Sequence, residues 1–442
     1  PELRYMKERR DLLGGPIPAR RQQMELLNTP ALSAFSSQLK GSGKREVSTT
    51  MAFVRMLSSL VKDEDIGERV VPIVPDEART FGMEGMFRQL GIYSSVGQRY
   101  TPHDAGQIMF YKEDLKGQIL EEGNNEAGAF SAWLAAATSY STSGYSMVPF
   151  YIFYSMFGVQ RIGDLAWAAG DSQARGFLIG ATAGRTTLNG EGLQHQDGHS
   201  HLLASTIPNC VSYDPAYAYE LAVIVQDGLR RMFREGDNRF YYITTMNEDY
   251  RQPDMPGGAE VGIIRGMYLL RRGASAEGPR VRLMGAGTIL REVEAAATIL
   301  EEDYQVVADV WSLTSINELQ REGKAALRWN MLHPEAKPRI PYVTAQLRDD
   351  KSPCVVATDY MKSYADQLRE FIPGSFTALG TDGFGRSDTR AKLRTFFEVS
   401  REYIVLAALK ALADEGRFEP AGVTAAMRAL GIPADRVDPL SG

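Results

Sequence analysis

Four short segments hold the residue types that do chemistry: PDEARTFGMEG (75–85), LEEGNNEAGAF (120–130), PFYIFYSMFGVQR (149–161) and GRTTLNGEGLQHQDGHSH (184–201). The last carries His195, His199 and His201, three of the chain's five histidines. His195 and His199 stand at i, i+4, a spacing that on a helix would suit a metal ion. Gly190, Gly192 and Gly198 argue instead for a glycine-rich loop that lets backbone approach a ligand. For each histidine, a catalytic role and a loop histidine satisfied by backbone bonds both stay open. Glu126 follows Asn124 and Asn125, either of which can cap a helix, so Glu126 falls in the first turn. An acid there is stabilised by the helix dipole, by roughly 0.3–1 kcal/mol, with no function required; an acid serving a site is the alternative. Tyr151, Phe153, Tyr154 and Phe157 form an aromatic run that reads as strand core or as a stacking platform for a flat ring.

The elements around these segments alternate. Ser48 caps a helix running to about Lys62. Apolar strands are expected at 70–74, 118–120, 150–154, 177–182, 210–213 and 240–245, with helices over 125–138, over 162–169 and, after 210–213, through Met232 between them. Strands alternating with helices of this length imply a parallel sheet covered on both faces. In such sheets ligands bind beyond the carboxyl ends of the strands, where each of the four segments lies. A second alternating block follows the Pro/Gly-rich stretch RQPDMPGG (251–258). Its strands are expected at RVRLMGAG (280–287), VVADVWS, PYVTAQL, CVVATDY and FTALGTD, with a long helix over 395–413. Residues 1–44 read as a linker, whose basic cluster Arg4, Lys7, Arg9 and Arg10 is a solvated charge run.

The totals bound the class. A chain of 442 residues with 44% hydrophobic and 24% charged residues is folded and has two or three domains. A net charge of -6 leaves no basic excess to neutralise phosphates, so nucleic acid is not an expected partner. The apolar stretch 145–159 is too short to span a bilayer and reads as a buried strand, so no membrane association is expected. Cys210 and Cys354 match no metal spacing and read as buried free thiols in a reducing cytoplasm. The charged start lacks a signal-peptide core. The chain opens on Pro1 rather than Met, and a piece of a longer chain is one expectation.

Taken together, the four segments resemble the homodimeric pyruvate dehydrogenases, the decarboxylating component of the pyruvate dehydrogenase complex. RWNMLHP and LGTDGFGRSDTR extend the resemblance through the second block, from about Glu46 to the end. The resemblance implies an α/β fold: a thiamine-diphosphate-binding, transketolase-like pyrimidine domain with a parallel sheet at 45–265, and a transketolase C-terminal-like α/β domain at 266–442. It implies that Glu126 hydrogen-bonds the pyrimidine N1′ of thiamine diphosphate and so promotes loss of the thiazolium C2 proton. Tyr154 and Phe157 would contact the pyrimidine, and Asp76 and Glu77 would line the same cleft. His195 would face the substrate, with Glu191 nearby. Residues 96–112, which include His103, match a mobile loop that orders over the bound intermediate. The implied reaction is oxidative decarboxylation of pyruvate with reductive acetylation of the lipoyl group of a dihydrolipoyl acetyltransferase, carried out by a cytoplasmic homodimer.

One feature of that family is missing. Its GDG motif, followed about 30 residues on by Asn, holds Mg2+ and the diphosphate; QDGHS, QDGLR and TDGFG carry only DG. No metal ligand is therefore assigned in this chain, and Mg2+ is expected from a domain outside it. The chain alone is expected to bind the cofactor poorly and to be inactive. Another thiamine-diphosphate enzyme, a metal hydrolase built on His195, His199 and His201, and a non-catalytic assembly module are the competing readings.

Overall fold

A computed structural model describes residues 1–15, 24–75, 78–190, 194–275 and 277–441. Its first sheet has six strands, all parallel: β1 (Val70–Val74), β2 (Leu120–Glu121), β3 (Val148–Phe153), β4 (Phe177–Ala181), β5 (Cys210–Tyr213) and β6 (Phe240–Thr245). Their order across the sheet is β2-β1-β3-β4-β6-β5. Strands β3 to β6 are buried at every position, which is why they read as unbroken apolar runs instead of alternating ones. From β1 the chain crosses to β2 on one side; from β3 it crosses to β4 on the other. The carboxyl ends of β1 and β3 thus form the switch point at which an open parallel sheet parts to leave a crevice.

The second sheet has five strands: β7 (Met267–Arg271), β8 (Arg280–Ala286), β9 (Val307–Leu313), β10 (Cys354–Ala357) and β11 (Phe376–Leu379). Their order is β7-β9-β8-β10-β11, with β7 antiparallel to β9 and the rest parallel.

Several sequence expectations need correction. PYVTAQL is not a strand but the helix Tyr342–Leu347. Its β-branched residues suggested a strand, whereas Val343 and Leu347, four apart and both buried, lie on one helical face against the core. The helix expected over 395–413 is two helices, Arg390–Phe396 and Arg401–Asp414. They are parted where Glu398 takes a left-handed backbone at φ 61°. Strand β7 was not expected at all. Within residues 1–44, Glu2–Leu12 is a helix with no buried residue, while Phe35 is 1% exposed and joins the main core.

Candidate functional site

A cleft of about 160 Å³ opens at the switch point, lined by Pro75, Asn124, Glu126, Phe153, Tyr154, Phe157 and Arg161. Pro75 follows β1, Asn124 follows β2 and Tyr154 follows β3, so all three strands around the crevice feed it. Glu126 opens the helix Glu126–Ala137, and the Asn125 side chain caps that helix by accepting from the Gly128 amide at 3.0 Å. The cap fixes where the helix begins and hence where the carboxylate projects. The Glu126 side chain is 15% exposed and accepts from Nη1 of Arg161 at 2.8 Å. The Arg161 guanidinium also lies 4.0 Å from the centre of the Phe157 ring.

Tyr154 and Phe157 meet edge to face with centroids 6.0 Å apart. His195 touches both, at 5.1 Å from Tyr154 and 4.9 Å from Phe157. Glycine is required at position 158, because a β-carbon there would lie 1.8 Å from Cε2 of Phe153. The turn that carries Phe157 can close onto the end of β3 only without a side chain at that point.

The structure therefore brings Glu126, Tyr154, Phe157 and His195 to one place. Asp76, Glu77 and Glu191 lie outside the described residues. The three histidines do not converge. His199 meets the Gln160 amide, while His201 is fully buried, bonded through Nε2 to Thr244 at 3.0 Å and stacked on Tyr364. Both cysteines are free and buried, and burial pushes each thiol up to about 12, which makes them unreactive.

Sequence reasoning missed two groups. Arg161 pairs with an acid 35 residues away, and no local pattern reveals that. Asp197 is 1% exposed and accepts hydroxyl protons from Ser155 and Ser200 and backbone amides of His199 and Ser200 at 2.9 and 3.0 Å. Burial pushes its carboxyl up, but these hydrogen bonds outweigh burial and hold it below the usual range. Asp197 so ties the turn after β3, which bears Tyr154, to the loop that bears His195. Its signal was an aspartate three residues before the start of a helix.

Beside it, Asp214 accepts from Thr244 at 2.7 Å. Burial raises its pKa to about 8, against the smaller opposing effect of that bond. Burial lowers His201 to about 4. Asp214 binds a proton in the folded state that the unfolded chain releases above its ordinary 3.8, so its contribution to stability falls as pH rises towards about 8. His201 acts in the opposite sense, losing stability only as pH falls from 6.5 to about 4. Between pH 6.5 and 8 His201 no longer contributes, and the Asp214 share adds to that of other buried acids that burial pushes up, such as Glu220 and Asp359. Urea unfolding should show wild type losing stability over that interval and Asp214→Asn, which mimics the protonated acid, losing less.

The family described as pyruvate dehydrogenase E1 component middle domain matches residues 27–253. The chain belongs to the pyruvate dehydrogenase E1 component family. The transketolase-like C-terminal domain family matches residues 266–400, which hold the second sheet. Pyruvate dehydrogenase E1 components of Pseudomonas aeruginosa and Escherichia coli are 63% and 56% identical to it over 440 and 441 residues, each 99% of this chain. The chain spans about half the length of these relatives, 50% and 49%. Among solved structures, transketolase from Campylobacter jejuni superposes with a TM-score of 0.61 at 16% identity, covering 85% of this chain and 49% of that one. A split-gene transketolase, described as an inactive β4 tetramer, matches at TM-score 0.53 and 16% identity, over 83% of this chain and 98% of its own. At these identities the transketolases share the fold with this E1-family chain. Among the described residues no helix is long and apolar enough to cross a membrane.

Proposed function

We propose that the cleft takes the aminopyrimidine ring of thiamine diphosphate, and that the chain supplies this half of the catalytic site of a pyruvate dehydrogenase E1 component. The observation that carries the reading is the meeting of one carboxylate and two aromatic rings at a sheet switch point, with an imidazole against both rings. A flat heteroaromatic ring fits these walls. Arg161 holds Oε1 of Glu126, and Oε2 is the atom proposed to share a proton with the ring nitrogen N1′.

The diphosphate end is different. It needs a hard cation with oxygen ligands. Among the described residues no group of three or more His, Cys, Asp or Glu side chains could hold a metal ion. Mg2+ and the diphosphate are proposed to be held by the part of the longer relatives that this chain does not match.

Thiamine diphosphate, when bound, supplies the carbon nucleophile and the electron sink that decarboxylation of pyruvate needs. The chain's residues do the rest of the proposed work. Glu126 holds a proton at N1′, and Tyr154 and Phe157 fix the ring plane. His195 donates a hydrogen bond to the charge that develops on the substrate oxygen. Asp76 and Glu77 are proposed to line the same cleft, with Glu191 on the substrate side. Residues 96–112, where Asp104 ion-pairs with Arg79, are proposed to close over the substrate. The domains are proposed as 45–265 and 266–442, a division that the two separate sheets support, and the preceding stretch read as a linker includes Phe35, which packs into the main core. Homodimerisation, transfer of the acetyl group to the lipoyl group of an acetyltransferase, and a cytoplasmic location complete the proposal.

The test is a chimera that joins this chain to the unmatched part of the Pseudomonas aeruginosa relative. With thiamine diphosphate and Mg2+, it should acetylate free lipoyl domain from pyruvate far faster than it acylates it from 2-oxoglutarate. Equal rates, or turnover of ketose phosphates in place of pyruvate, would refute the substrate reading.

A further inference from the structure

A second cavity, of about 720 Å³, opens at the amino-terminal edge of the second sheet, the end opposite to the one Asp359 presents to Thr186 and Thr187. Its charged lining is Arg272, Arg280, Arg282 and Arg417 against Asp309, Asp349 and Asp350. Most of these are already partnered. Arg280 pairs with Asp309 at 2.9 Å and Arg417 with Glu415 at 3.3 Å, while Asp349, 92% exposed, faces Arg348. That leaves Arg272 and Arg282, neither in an ion pair among the described residues, against the single carboxylate of Asp350.

Arg282 is 1% exposed, and its Nε and Nη2 donate to the carbonyls of Ser352 and Pro373. Carbonyls satisfy hydrogens but do not cancel a charge. Its Nη1 has no acceptor among the described residues, and neither has Nε1 of Trp311, which is 7% exposed and lines the same cavity. Two buried donors without acceptors, one of them cationic, are costly unless something meets them. Register explains why they sit together. Arg282 pairs with Asp309 and Met284 with Trp311 across the parallel strands β8 and β9, so Arg282, Asp309 and Trp311 share one face of the sheet.

We propose that this cavity is a binding site for an oxyanion of a small molecule, a phosphate or carboxylate group, with Arg272 and Arg282 as its charge partners. A guanidinium fork matches either group in two-point geometry. Asp309 and Asp350 on the same wall accept hydrogen bonds from hydroxyl or amine groups that the same molecule carries. The inference does not depend on what the Glu126 cleft binds.

The test is calorimetric titration of the 442-residue chain with inorganic phosphate and, separately, with succinate, at an ionic strength fixed with sodium chloride. A saturable response to either ion is expected, and the ion that gives it identifies the group. Arg272 is exposed at the rim, so Arg272→Ala should weaken binding about tenfold while leaving the unfolding temperature of the ligand-free chain unchanged. Arg282→Lys, which keeps the charge and loses the fork, should weaken it as well. No saturable response to either ion, or an Arg272→Ala variant that binds like the parent, would overturn the proposal.

Discussion

Replacing Glu126 with alanine in the chimeric enzyme should slow exchange of the thiazolium C2 proton of bound thiamine diphosphate by roughly 10²–10⁴-fold, the usual range for losing a positioned acid–base group. The fold should survive, with a loss of no more than about 1 kcal/mol from the missing charge at the helix start. Alanine is the best helix former, the Asn125 cap does not depend on the Glu126 side chain, and the lost partner, Arg161, is 53% exposed and can turn to water. Proton–deuterium exchange, quenched in acid and read by NMR, gives the rate directly, and urea unfolding of the same variant gives the control. A midpoint lowered only slightly, with a slowed exchange, supports the proposed role. A near-wild-type exchange rate would remove Glu126 from proton transfer, whatever the steady-state activity.

Asp359→Ala should be strongly destabilising although it lies outside the apolar cores. Asp359 follows β10 and is fully buried. Its two carboxyl oxygens accept from the amides of Thr186 and Thr187 at 2.8 and 3.1 Å and from their hydroxyls at 2.7 and 2.6 Å. These threonines follow β4 and begin the loop that leads to His195, so one carboxyl ties the second sheet to the site loop of the first. Gly184, at φ +88°, is needed for the approach: a β-carbon there would lie 2.3 Å from Oδ2 of Asp359. Alanine at 359 would leave two buried backbone amides without acceptors. The hydroxyls can rotate but the amides cannot, and the cost is about 3 kcal/mol or more. Asp359→Asn keeps one acceptor oxygen and should fall between the two. Equilibrium urea unfolding measures both, and a loss below about 1 kcal/mol for alanine would show that the threonine amides find other acceptors.

The first sheet was legible because its strands are buried on both faces. VVPIV, CVSY and FYYITT appear as strands with the boundaries their apolar runs suggest. The edge strand β2 is two residues long and shifted from the expected 118–120, since so short a run gives no pattern to read. In the second sheet, β7 pairs antiparallel at an edge, and its last three positions are only partly buried, so MYLLR carries no continuous apolar run with turn signals around it. Glu126 could be placed because an asparagine cap is a local signal. The rest of its surroundings could not, since Arg161 arrives from another helix and Asp197 is fixed by hydroxyls from two separate segments. Sequence spacing also put His195, His199 and His201 together as one candidate metal set, whereas the backbone turns between them and sends each ring into different surroundings.

The Glu126 carboxylate is proposed to grip the pyrimidine ring of the cofactor. A crystal structure of the chimeric enzyme with thiamine diphosphate and Mg2+ tests it most directly. The expected result is a Glu126 oxygen within hydrogen-bonding distance of N1′, roughly 2.6–3.2 Å, with the ring between Tyr154 and Phe157. A ring bound elsewhere, or a Glu126 that still pairs with Arg161 alone, would contradict it.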